Sequence, residues 1–167
     1  IHLANTPFFD KIIKENPHTF LQASGEAVGL PEGQMGNSEI GHTTIGAGSA
    51  IDTDLVTIGK SIKDNTFFEN EAFLRLINHV KKSENACIHL IGLLSDGGVH
   101  SHNSHIYAFL KMAAQNGLDK EQVVLHIFTD GRDVSGGTAI KYIKELEGKK
   151  ILFVGDGAKK AQEILQI

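Results

Sequence analysis

The run Cys87-Ile88-His89-Leu90-Ile91-Gly92-Leu93-Leu94, passing directly into Ser95-Asp96-Gly97-Gly98-Val99-His100-Ser101-His102-Asn103, decides how this chain folds. The first part is apolar and free of Asp, Glu, Lys and Arg, the pattern of a strand buried in a parallel sheet. The polar, glycine-bearing part reads as a strand-to-helix loop. Ile106, Phe109, Leu110 and Ala113 then recur at helical spacing as far as Gly117. The same order returns downstream: a strand over 123–128, a loop over 129–137, and a helix through Tyr142 and Leu146 closed by Gly148. A strand over 151–154, a Gly155-Asp156-Gly157 turn and a final helix complete the alternation. Upstream, a helix beginning after Asn70 carries Phe73, Leu76, Ile77 and Val80 along one side. This predicts an α/β fold of parallel-sheet βα units with both faces of the sheet covered. The loops over 95–103 and 129–137 should then share a crevice at the carboxyl ends of their strands, where ligands bind in such sheets.

The first third of the chain has a different character. Thr6-Pro7, a hydroxyl cap and then proline at the first helical position, opens a helix with Phe8, Ile12 and Ile13 on its apolar side, stopped at Asn16-Pro17, and 18–23 reads as a short strand. Next comes Gly29-Leu30-Pro31-Glu32-Gly33-Gln34-Met35-Gly36-Asn37-Ser38-Glu39-Ile40-Gly41-His42. Its glycines permit tight turns and close approach, and they deliver Ser38 to the first turn of a helix running toward Gly46-Ala47-Gly48. A hydroxyl there can receive a phosphoryl group whose charge is held by free N–H groups and the helix dipole. Equally, Asn37 or Ser38 can be a plain helix cap. Residues 54–63 read as a further helix.

Composition narrows the function classes. With 167 residues, 41% apolar and 22% charged, the chain has the make-up of a globular protein with a real core. A net charge of −4 and the lack of any basic block argue against nucleic acid as a partner. No apolar run has the length of a membrane span, and the single cysteine, Cys87, points to a reducing, cytoplasmic setting. Cys87, His89 and His126 read as core residues of their strands. A start without methionine and an end inside an apolar helical pattern lead us to expect a piece of a longer chain.

Two loops carry candidate chemistry. After the first βα strand, Asp96, His100, His102 and His105 lie within ten residues. They suit a general acid or base (His100), an imidazolium for phosphate, or a metal site, or else a loop cap with solvated histidines. After the second strand, Thr129-Asp130-Gly131-Arg132-Asp133 places one of the chain's two arginines between carboxylates. Arg132 can clamp a phosphate or carboxylate bidentately, or it can simply pair with an aspartate of its own loop. Asp133 can be a base or that partner.

Taken together, residues 23–28 running into the 29–42 stretch, Ile45-Gly46-Ala47-Gly48, residues 94–102 and Asp130-Gly131-Arg132-Asp133 resemble the cofactor-independent (2,3-bisphosphoglycerate-independent) phosphoglycerate mutases. The resemblance implies a segment of an alkaline-phosphatase-like domain over 1–52. It implies the substrate-binding transferase domain, incomplete, over 53–167. Ser38 would be the nucleophile and a ligand of one of two divalent metals, usually manganese. His100, Arg132 and Asp133 would hold the substrate while 3- and 2-phosphoglycerate interconvert through a phosphoserine. The implied intact protein is a cytoplasmic monomer acting on phosphoglycerate, with no nucleic-acid or membrane partner. Of the family's metal ligands this chain holds only Ser38, so little or no activity is expected from it alone. A metal-dependent phosphomonoesterase or phosphopentomutase-like enzyme, and a non-catalytic anion-binding module, are the alternatives.

Overall fold

A computed structural model describes residues 3–146 and the backbone of 151–153. The elements run α1 (Pro7–Glu15), α2 (Ser38–Ala47), α3 (Asp54–Lys63), α4 (Glu71–Lys81), β1 (Ile88–Leu94), α5 (Asn103–Gln115), β2 (Val123–Thr129), α6 (Ala139–Lys144) and β3 (Ile151–Phe153). Three short 3-10 turns, Gly25–Val28, Thr66–Glu69 and Lys120–Gln122, fill gaps that periodicity cannot see. Helix starts follow local chemistry. The Asn70 side chain accepts from the N–H of Ala72 and Phe73 to open α4, and Asn37 accepts from Ile40 to open α2. Gly48 and Gly117, both at positive φ, lie just past the ends of α2 and α5.

The strands form a parallel sheet in the order β1-β2-β3, with Ile88 opposite Val123 and Leu94 opposite Thr129. Ile88 and Leu94 of β1, with Val123, Leu125 and Ile127 of β2, point to one face, where α4, α5 and α6 supply Ile77, Val80, Phe109, Met112 and Tyr142, and the turn after α6 adds Leu146. Met112, fully enclosed, is the centre of that core.

The expectation that both faces are covered is corrected. His89, Ile91, Val124, His126 and Phe128 point to the opposite face, and Ile91 and Phe128 remain 70% and 51% exposed. The reason is topological. Right-handed crossovers that step in one direction, β1 to β2 to β3, place α5 and α6 on the same side. Helices reach the other side only where strand order reverses, which it does not among the described strands. His89 and His126 are therefore not core residues. They hydrogen-bond to each other, Nδ1 to Nε2 at 2.7 Å, and His89 Nε2 meets the half-buried Cys87 Sγ at 3.2 Å.

Three further expectations change. Residues 18–23 form no strand, because no neighbouring chain offers them hydrogen bonds among the described residues, and Phe20 and Leu21 lie exposed. The Thr6 hydroxyl donates to the Asp10 carboxylate at 3.1 Å and does not cap α1, whose apolar residues bury nothing fully. Leu76, on the core side of α4 by spacing, is partly exposed. The expected cap at Gly148, the turn at 155–157 and the final helix lie outside the described residues.

Candidate functional site

The crevice is built where β1 and β2 end. Parallel register brings the loop 95–103 beside the loop 129–137, so residues far apart in sequence meet. His100 Nδ1 lies 2.6 Å from Asp133 Oδ2. A carboxylate can only accept, so Nδ1 carries the proton and donates, leaving Nε2 facing away from the aspartate. The Asp133 side chain is nearly buried at 9% exposure while that of His100 is open at 65%, so the aspartate anchors and the imidazole presents. Arg132 is exposed, and its guanidinium makes no ion pair with any described residue. The local Asp–Arg pairing is thereby set aside. Asp130 binds the backbone of Arg132, not its side chain, and Asp133 is taken by His100.

Beneath this surface lie two residues whose role sequence reasoning missed, Ser95 and Asp130. The Ser95 hydroxyl, 1% exposed, donates to Asp130 Oδ2 at 2.6 Å. Asp130 Oδ1 accepts from the N–H of Arg132 at 2.9 Å and of Asp133 at 3.0 Å. These bonds, the serine's first, hold the Asp130 carboxyl below the usual carboxylate range. The available signal was positional: each is the first polar residue after its strand.

The other histidines are accounted for separately. His102 caps α5, its Nδ1 accepting from Ser104 N–H at 3.2 Å. His105 is half-buried, and burial, followed by the neighbouring His102, pushes its pKa down. Asp96 accepts from the Tyr142 hydroxyl and pairs with Lys141 Nζ at 3.7 Å, which ties the loop to α6. The tyrosine's bond, ahead of the lysine's charge, holds the Asp96 carboxyl low.

Ser38 makes no hydrogen bond to His100, Arg132 or Asp133. It is the first residue of α2 and exposed, and its hydroxyl has no hydrogen-bond partner among the described residues. Asn37 has taken the cap, which leaves the serine free of that duty. The loop behind it is held by backbone. Gly25 N–H donates to Gln34 O at 2.9 Å and Thr53 N–H to Gly29 O at 2.8 Å. A Cβ at Gly36 would lie 2.0 Å from Ala23 O.

The residues present do not make a metal centre. No group of three His, Cys, Asp or Glu among the described residues is placed to hold an ion, and Ser38 supplies one oxygen. Among the described residues, no helix is long and apolar enough to cross a membrane.

The fold and crevice define a parallel α/β domain that presents an exposed guanidinium and a carboxylate-held imidazole at the carboxyl ends of adjacent strands. Residues 58–155 match the family model described as the BPG-independent PGAM N-terminus. The chain belongs to the family of BPG-independent phosphoglycerate mutases. It is 52% identical over 159 residues to the 2,3-bisphosphoglycerate-independent phosphoglycerate mutase of Staphylococcus saprophyticus, a match covering 95% of this chain and 31% of that protein. With the enzyme of the same name from Salinibacter ruber it shares 47% identity over 149 residues, 89% of this chain and 28% of that one. Among solved structures, Leishmania mexicana phosphoglycerate mutase at low cobalt concentration superposes with a TM-score of 0.66 at 35% identity, covering 91% of this chain and 29% of that one. The chain thus spans about three-tenths of the length of these relatives.

Proposed function

We propose that the protein to which this chain belongs interconverts 3- and 2-phosphoglycerate, the activity its relatives are named for, and that it does so through a phosphoserine at Ser38. On this reading residues 1–52 are the nucleophile-bearing segment of an alkaline-phosphatase-like domain and 53–167 the substrate-binding transferase domain. The Ser38 oxygen takes the phosphoryl group as the bond from phosphorus to the glycerate C3 oxygen breaks, and the serine's proton ends on that oxygen. The C2 hydroxyl then takes the group as the bond from phosphorus to the serine oxygen breaks, and its proton passes to Ser38. Arg132 grips the substrate's charged oxygens, two of one phosphate or carboxylate group, through two parallel N–H bonds. His100, its Nδ1 proton held by Asp133, can take up a proton at Nε2, and once protonated there can donate to the phosphate. The supporting observation is the His100–Asp133 contact across 33 residues of sequence, beside an arginine left free to bind.

Manganese, the metal implied for the family, would find one donor here, Ser38, and we assign no step of this chain to it. We read the chain alone as inactive but able to bind substrate, and the intact protein as a cytoplasmic monomer. The test is calorimetric titration of 3-phosphoglycerate into the chain and its Arg132→Lys and Ser38→Ala variants. Losing the bidentate grip should weaken binding about tenfold or more, while Ser38→Ala leaves it nearly unchanged. Binding indifferent to Arg132 would defeat the assignment.

A further inference from the structure

We propose that Asp130, acting with Ser95, is the positioning residue of this crevice: it touches no ligand but sets the geometry of Arg132, Asp133 and, through Asp133, His100. The inference rests on the reading above that the crevice holds phosphoglycerate. Its basis is the last rung of the ladder. Leu94 and Thr129 are the final register partners of β1 and β2, so Ser95 and Asp130 face each other one step beyond, where backbone pairing has stopped. Their side chains continue the pairing with the 2.6 Å hydroxyl–carboxylate bond.

Asp130 is 7% exposed and both of its oxygens are hydrogen-bonded within the two loops, one to Ser95 and one to two amides. The two amides are those of Arg132 and Asp133, so one carboxylate oxygen fixes the chain direction both at the exposed arginine and at the aspartate that holds His100. On the other side, Ser95 Oγ accepts from Gly97 N–H at 3.1 Å. Gly97 sits so close to the second loop that a Cβ there would be 3.0 Å from Asp133 Cβ. The contacts close a ring: Ser95 to Asp130, Asp130 to Asp133, Asp133 back against Gly97, with His100 hung on Asp133. Buried hydrogen bonds to a charged oxygen are the strongest a loop can use to stay in place when its surface must remain open to ligand.

The experiment combines amide hydrogen exchange, resolved by residue, with titration of 3-phosphoglycerate into the chain carrying Asp130→Ala or Asp130→Asn. Alanine removes the shared acceptor, so exchange at Arg132 and Asp133 should accelerate about tenfold or more and affinity should fall about tenfold or more. Asparagine keeps an oxygen for the two amides and should restore both readings to within about threefold. Lost affinity with full amide protection would overturn the proposal, since Asp130 would then be meeting the ligand itself. So would unchanged affinity in Asp130→Ala. If unaltered chain binds no phosphoglycerate while exchange follows the expected pattern, the positioning role stands and the substrate reading fails. Should Asp130→Ala not fold, Ser95→Ala serves: with the serine's hold on Asp130 gone, exchange at Gly97, Arg132 and Asp133 should rise together and affinity should drop. Affinity unmoved in Ser95→Ala overturns the proposal.

Discussion

Replacing Gly29 with alanine should break the loop that carries Ser38, and the structure says by how much. Gly29 sits at φ +79°, and a Cβ built on it would lie 1.8 Å from the carbonyl oxygen of Ile51. Real Cβ contacts begin near 3.0 Å, so the two backbones must part by about 1.2 Å. The bond from Thr53 N–H to Gly29 O, now 2.8 Å, cannot survive such an opening, because beyond about 3.5 Å it ceases to be one. Losing it costs about 0.5–1.5 kcal/mol, and a left-handed alanine adds about 1–2 kcal/mol. The expected destabilisation is therefore about 1.5–3.5 kcal/mol, a large part of the about 5–15 kcal/mol typical of a domain. Urea unfolding followed by circular dichroism reads the total, and hydrogen exchange at Gly25 and Thr53 reads the site. Gly41→Ala is the control: it has nothing within 4 Å and lies inside α2, so it should stabilise by about 0.5–1 kcal/mol. A Gly29→Ala chain with unaltered Thr53 exchange and an unchanged urea midpoint would refute the close-approach argument.

Met112→Ala should cost about 2–5 kcal/mol, read as a lower urea midpoint at unchanged slope, because its side chain is wholly enclosed between α4, α5 and the sheet. Acid sensitivity follows from the lowered carboxyls of Asp130 and Asp96. Their contribution is complete above the ordinary aspartate value of 3.8 and lost as pH falls through the lower folded values, so Asp130→Asn should flatten the acid limb of stability against pH. Both tyrosines of the chain should ionise late. Burial, then the Glu145 bond, pushes Tyr107 up to about 12, and the bond to Asp96 raises Tyr142. Absorbance at about 295 nm should therefore show far less phenolate at about pH 10 than the half-ionisation of ordinary tyrosine. In Tyr107→Phe the transition near 12 should disappear.

The sequence by itself determined the βα alternation, the helix starts at Asn70 and Asn37, and the crevice between loops 95–103 and 129–137, since apolar period, caps and glycines are local signals. It also made the family visible, because the polar residues of that crevice sit in unbroken runs. Local chemistry left open whether Arg132 pairs with a neighbour, and it put His89 and His126 in the core, where they are not. Only the tertiary structure decided these. Parallel register sets His100 against Asp133 and Ser95 against Asp130, and strand order sends both crossover helices to one side of the sheet. The physical reason is common to all of them: such partners lie 33 or more residues apart, and which polar group meets which is fixed by strand pairing, not by anything written beside them in the chain.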